Sequence, residues 1–108
     1  MKKAALRKGS GNVYKDLGFP NAEEMQAKAM LASRIIFITK KRKLTQKKAA
    51  ELLDIPQSKV SLLNRGQFSG FSLGRLIKLL NKLSQDVEIV IKSKPVSKHF
   101  GHVNVVYL

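Results

Sequence analysis

Residues 44–66 read LTQKKAAELLDIPQSKVSLLNRG, and this stretch restricts the fold more than any other. Two short amphipathic runs flank Asp54-Ile55-Pro56. In the first, Thr45 suits an N-cap, and Ala49, Leu52 and Leu53 give a short helix its buried side. Asp54 breaks that helix. Pro56 fits the first turn of the next one, because its missing N–H has no intrahelical partner to lose there. In the second run Val60 and Leu63 point inward with Leu62 partly covered, and Gly66 is a natural helix end. The rest of the second run is polar, and that polarity calls for a reason.

The surrounding sequence supplies a helical body. Asn21 carries an N-cap side chain and Glu24 follows three residues on, as in a capping box. Glu23 and Glu24 suit the positive end of a helix dipole. Met25, Ala29, Ala32 and Ile36 form one apolar row, with Leu31, Ile35 and Ile38 beside it. This long helix should end near Lys41 or Lys43. Ser72 caps another helix whose Leu73, Leu76, Ile77, Leu80 and Leu83 form a stripe. Val13–Leu17 can make one helical turn, stopped at Gly18-Phe19-Pro20. The period then changes at 86–92, where Val87, Ile89 and Ile91 alternate with polar residues and predict a strand. A strand needs a partner. Val103–Leu108 is one candidate and a second copy of 86–92 is the other. Pro95 and the polar run 93–101 read as a linker, which favours pairing across a dimer axis through Val87, Ile89 and Ile91.

The expected organisation is therefore a flexible basic arm over 1–12, one domain over 13–92 and a tail over 93–108. The fold class is mainly α: a bundle of four to five helices with one C-terminal β-strand. With 108 residues the chain suits a single domain. It has no cysteine, which excludes disulfides, thiolate metal sites and cysteine nucleophiles and fits a reducing cytoplasm. No run approaches the roughly 18–20 apolar residues of a membrane span. The N-terminal twelve residues lack the apolar core of a signal peptide. His99 and His102 stand three apart with no third ligand, so no metal site is expected, and no cofactor. No carboxylate pair, activated serine or phosphate-cradling glycine loop appears, so the chain is not expected to be an enzyme.

Charge then gives the polar face its meaning. The chain holds 21 Lys+Arg against 7 Asp+Glu, a net +14. Residues 42–66 alone carry six basic residues and two acidic ones, so the excess reaches into the folded part. A polyanion is the natural partner. Two short helices joined by a tight turn inside a basic helical domain make a helix-turn-helix. Such a motif needs small residues where the helices cross, which Ala49 and Ala50 provide. Its turn needs a residue tolerant of unusual backbone angles, and Asp54 serves. Its second helix carries hydrogen-bonding side chains outward, here Gln57, Ser58, Lys59 and Ser61, then Asn64 and Arg65. Gln can bond adenine, Lys guanine or phosphate, and Ser either base or phosphate. Gln46 and Lys47 open the preceding helix, where amide N–H groups and the dipole already favour a phosphate. Positioning and reading contacts are thus divided as a sequence-specific binder requires.

The pattern L-T-Q-x-x-A-A-x-L-L-x-I-x-Q-x-x-V-S-x-L-x-x-G resembles the helix-turn-helix of phage-repressor-like (Xre/Cro) regulators. The flanks Asp16–Glu24, Gly70-Phe71-Ser72-Leu73 and Asp86-Val87-Glu88-Ile89-Val90 resemble the HigA-type antitoxin branch, over about residues 13–95. The resemblance implies DNA contacts at Gln46, Gln57, Ser58, Lys59 and Ser61. It also implies a homodimer on an inverted-repeat operator, repression of its own operon and, in many members, neutralisation of a ribonuclease toxin. A stand-alone regulator without a toxin, and a toxin-blocking module with secondary DNA binding, are the alternatives. Two departures stand in the turn: Asp54 replaces a frequent glycine, and Pro56 the usual polar cap. Residues 96–108 lie outside the resemblance. Lys40–Lys43 can serve either the helix dipole or a phosphate. The arm with Lys2, Lys3, Arg7 and Lys8 is either a minor-groove arm or a disordered tail, and Phe68 and Phe71 should anchor their loop to the core.

Overall fold

A computed structural model of the chain describes residues 12–18, 21–95 and 101–108. The expected arm over 1–12 falls almost wholly outside these residues, as does His99. The described residues form five helices: α1 (Val13–Asp16), α2 (Ala22–Lys41), α3 (Gln46–Leu53), α4 (Gln57–Asn64) and α5 (Leu73–Lys82). The mainly α class and the four longer helices follow the sequence reading.

Helix α2 is the spine. Leu31, Ala32, Ile35 and Ile38 are its buried side, while Met25, Ala29 and Ile36 are half-buried at the margin. Both expected rows contribute to the core, Leu31, Ile35 and Ile38 from one and Ala32 from the other. Helix α5 packs on α2 through Leu76, Leu79 and Leu80, continued by Leu83. Helices α3 and α4 and the turn between them add Ala49, Ala50, Leu53, Ile55, Val60 and Leu63 to the same core. Leu52, expected inside, is 43% exposed, because the inward side of so short a helix is already filled by Ala49 and Leu53. Two long side chains tie distant parts together. Arg42 Nη2 donates to the Leu83 carbonyl at 2.7 Å, joining the ends of α2 and α5. Lys28 Nζ donates to the Ser69 carbonyl at 3.2 Å, joining α2 to the loop after α4.

The four longer helices end alike. A residue in the left-handed region follows each: Lys43 (φ 58), Asp54 (φ 57), Gly66 (φ 74) and Ser84 (φ 65). The next amide then reaches back five residues: Leu44 to Thr39, Ile55 to Ala50, Gln67 to Leu62 and Gln85 to Leu80. This is the Schellman closure, which satisfies carbonyls that the helix leaves open. Glycine marks only one of the four.

The starts differ more. Thr45 and Ser72 cap α3 and α5, their hydroxyls accepting from the Lys48 and Arg75 amides at 3.1 and 3.0 Å. Asn21 precedes α2 without a side-chain cap, correcting the expected capping box. Glu24 instead pairs with Lys28 at 3.4 Å, and Glu23 holds the C-terminal segment. Asn12 takes the capping role for α1, its Oδ1 accepting from the Lys15 amide. Pro56 sits at the N-cap of α4, one place before the expected first turn, with extended backbone (ψ 151).

No strand forms among the described residues. Residues 85–95 run outside the helical elements; Val87 is half-buried against the core, while Ile89 and Ile91 are 77% and 93% exposed. A lone strand cannot satisfy its ladder, so an unpaired 86–92 has no reason to register as one. The C-terminal segment does not pair with it either. It lies along α2: the His102 ring and the Val103 amide meet the Glu23 carboxylate, Val105 packs on the core, and the Tyr107 hydroxyl donates to the Met30 carbonyl.

Candidate nucleic-acid interface

The α3–α4 pair is set by three features: small Ala49 and Ala50, both buried; the left-handed Asp54; and buried Ile55 in the turn. Asp54 carries the conformation for which glycine is frequent, and its Oδ2 stands 3.7 Å from Lys82 Nζ on α5. That pair is mostly exposed, so it contributes little. The turn is held mainly by its backbone closure and by Ile55.

On α4, Val60 and Leu63 are 5% and 2% exposed and pin the helix down. Gln57, Ser58 and Lys59 in the first turn are exposed, as are Asn64 and Arg65 at the far end. Ser61 is half-buried between them, so its hydroxyl is less accessible than expected. Pro56 brings no side-chain cap, and its carbonyl accepts from the Lys59 and Val60 amides at 2.9 and 3.3 Å. The helix therefore begins with polar side chains beside uncapped amides, an arrangement suited to an anion. Gln46 and Lys47 are exposed on the first turn of α3, and Lys48 beside them is 4.0 Å from Glu51.

Lys59 is not a free arm. Its Nζ stands 5.7 Å from the centroid of the Phe71 ring. Phe68 and Phe71 are both buried and anchor the loop after α4, as expected. The basic run 40–43 divides. Arg42 is engaged by the Leu83 carbonyl, Lys43 forms the left-handed turn and Lys41 lies over the Phe37 ring at 5.7 Å. Lys40 remains exposed. Of the three expected dimer residues, Val87 faces the core, whereas Ile89 and Ile91 face out.

Sequence reasoning missed the stacked row on the outer side of α2. The Arg34 guanidinium lies between the Phe37 and Tyr107 rings, at 5.1 and 4.8 Å. Phe37 at the end of a helix otherwise polar on that side was the available signal. Among the described residues no helix is long and apolar enough to cross a membrane, and no group of three or more His, Asp or Glu gathers.

The class these features define is a helix-turn-helix protein, and residues 13–92 match the family described as Helix-turn-helix domain. No curated protein sequence matches the chain. Among solved structures, an XRE-family transcriptional regulator is similar at 45% sequence identity and a TM-score of 0.76, covering 82% of this chain and all of its own. The chain belongs to the XRE family of helix-turn-helix transcriptional regulators.

Proposed function

We propose that this regulator is a sequence-specific DNA-binding repressor of its own operon, working in the cytoplasm as the antitoxin of a toxin–antitoxin pair. The observation that carries the DNA reading is α4: buried Val60 and Leu63 hold it down while Gln57, Ser58, Lys59, Asn64 and Arg65 face solvent. Gln46 and Lys47 supply phosphate contacts at the start of α3, and Ser61 adds a partly covered hydroxyl. Two copies would pair through residues 86–92, burying Ile89 and Ile91. They would set two recognition helices about 34 Å apart on an inverted repeat.

The antitoxin part rests on the resemblance of the flanking segments to the HigA branch. The similarity to a transcriptional regulator over 82% of this chain favours, as second reading, a stand-alone regulator. Gel shifts on DNA upstream of its own gene, with and without the adjacent gene's product, separate these. A supershifted or released complex supports the antitoxin; no interaction leaves the stand-alone regulator. Equal affinity for scrambled DNA at physiological salt removes both.

A further inference from the structure

We infer that Phe71 and Lys28 are positioning residues for DNA reading: Lys28 locks the loop after α4, and that loop presents the Phe71 ring as the platform on which Lys59 is pre-set. This rests on the proposed reading that α4 contacts DNA.

The chain of contacts starts with an ammonium withdrawn from water. The Lys28 side chain is 8% exposed, and a charge so placed needs partners. It has two, Glu24 Oε2 one turn earlier and the Ser69 carbonyl, 41 residues away in sequence. Ser69 lies between Phe68 and Phe71, and the Phe71 amide donates to the Phe68 carbonyl at 2.9 Å, closing a tight turn. Fixing the Ser69 carbonyl therefore holds the backbone from which both rings enter the core. Phe71 is buried in the core, yet one face of its ring lies under Lys59 Nζ.

Lys59 belongs to the first turn of α4, where a reading residue enters the groove. A free lysine gives up much rotamer freedom when it binds. One already gathered over a ring gives up less, and affinity rises through preorganisation. The ring's position also fixes the direction from which the ammonium approaches a guanine edge or phosphate, so the loop contributes to discrimination without touching DNA.

The test is a pair of double-mutant cycles on the full chain, read by gel shift and salt titration. The probes are a duplex from upstream of the gene and its scrambled version. Phe71→Leu keeps an apolar side chain and removes the platform; Lys28→Met keeps the buried stem and removes the donors. Each should weaken binding to the upstream duplex about two- to fivefold, the range of an exposed cation–π contact. Each should also lower the preference over scrambled DNA. Neither should weaken binding further once Lys59→Met is present. Thermal melts confirm that every variant is folded at the assay temperature. If Phe71→Leu fails to fold, the Lys28→Met cycle decides. Additive losses, or binding unchanged or tightened in the single variants, overturn the inference and leave the proposed function standing. A wild-type protein that does not discriminate between the duplexes overturns both.

Discussion

The four Schellman ends permit a controlled experiment on backbone conformation, because one carries glycine and three do not. An added Cβ at Gly66 meets no atom within 4 Å, so Gly66→Ala changes only the cost of holding φ +74. A non-glycine residue pays about 1–2 kcal/mol in the left-handed region. The glycine it replaces had lost about 0.5–1 kcal/mol more chain entropy on folding. The net destabilisation is about 0.5–1 kcal/mol. Ser84→Gly runs the same exchange backwards and should gain a similar amount. Asp54→Gly gains less, about 0–1 kcal/mol. Asp tolerates the region better than most residues, and the substitution removes the exposed Lys82 pair, worth well under 1 kcal/mol.

For a domain of this size about 1 kcal/mol moves the melting temperature roughly 4–8 °C. Gly66→Ala should fall about 2–8 °C and Ser84→Gly should rise by a like amount, followed by circular dichroism at 222 nm. Asp54→Gly should lie between wild type and Ser84→Gly, and should improve relative to wild type in 1 M salt, where the Lys82 pair is screened. The backbone angle of the turn is the same with either residue, so the relative disposition of α3 and α4, and with it DNA affinity, should not change. A loss above about 1 kcal/mol in Asp54→Gly would refute this reasoning. The turn would then depend on the carboxylate and not on its closure.

Three further outcomes follow from single contacts. Leu63→Ala removes a side chain 2% exposed beneath α4 and should cost about 2–5 kcal/mol in urea unfolding, with DNA binding lost in parallel. Arg42→Met leaves the Leu83 carbonyl to the Gln85 side-chain amide alone and should cost about 0.5–1.5 kcal/mol, read as a lowered denaturation midpoint at unchanged slope. Lys47→Ala, at the exposed start of α3, should reduce the salt dependence of binding by about one unit while leaving base preference intact, as for a phosphate contact.

Much of the helical architecture was legible because its signals are local. Apolar spacing located four helices, Thr45 and Ser72 announced two starts, and Asp54 stood out as a turn residue tolerant of unusual backbone angles. What was misjudged required knowledge of neighbours. On α2, Met25, Ala29 and Ile36 are only half-buried, and Leu52 is exposed because α3 has room for only three inward residues. Lys43 and Ser84 adopt positive φ without glycine, since the i to i−5 bond and the packing that follows decide the closure. Of the candidate interface, Gln46, Lys47, Gln57, Ser58, Lys59, Asn64 and Arg65 are exposed as their spacing predicts. The Phe71 platform joins residues 12 apart through a loop, and no periodicity encodes such a contact.

The C-terminal segment presents the sharpest case, and its chemistry can be tested by pH. Its sequence suits a strand, yet it lies on α2 because Glu23 offers a carboxylate to two donors, the His102 ring and the Val103 amide. The hydrogen bond from His102, then that from Val103, holds the Glu23 carboxyl below its ordinary range, with the His102 and Lys15 charges assisting. A carboxylate lowered in the folded state contributes at pH values above its unfolded pKa and loses that contribution as pH falls through the folded one. Docking of residues 101–108 should therefore be intact at neutral pH and weaken as pH falls from the ordinary carboxylate value through the lowered one. Hydrogen exchange at the Val103 amide reads this directly. In Glu23→Gln one acceptor remains but the charge is gone, so exchange should be faster at pH 7 and should lose the acid transition. Exchange that accelerates with acid equally in both proteins, after correction for intrinsic rates, would refute a role for the Glu23 charge and leave Tyr107 and Val105 as the anchors of the segment.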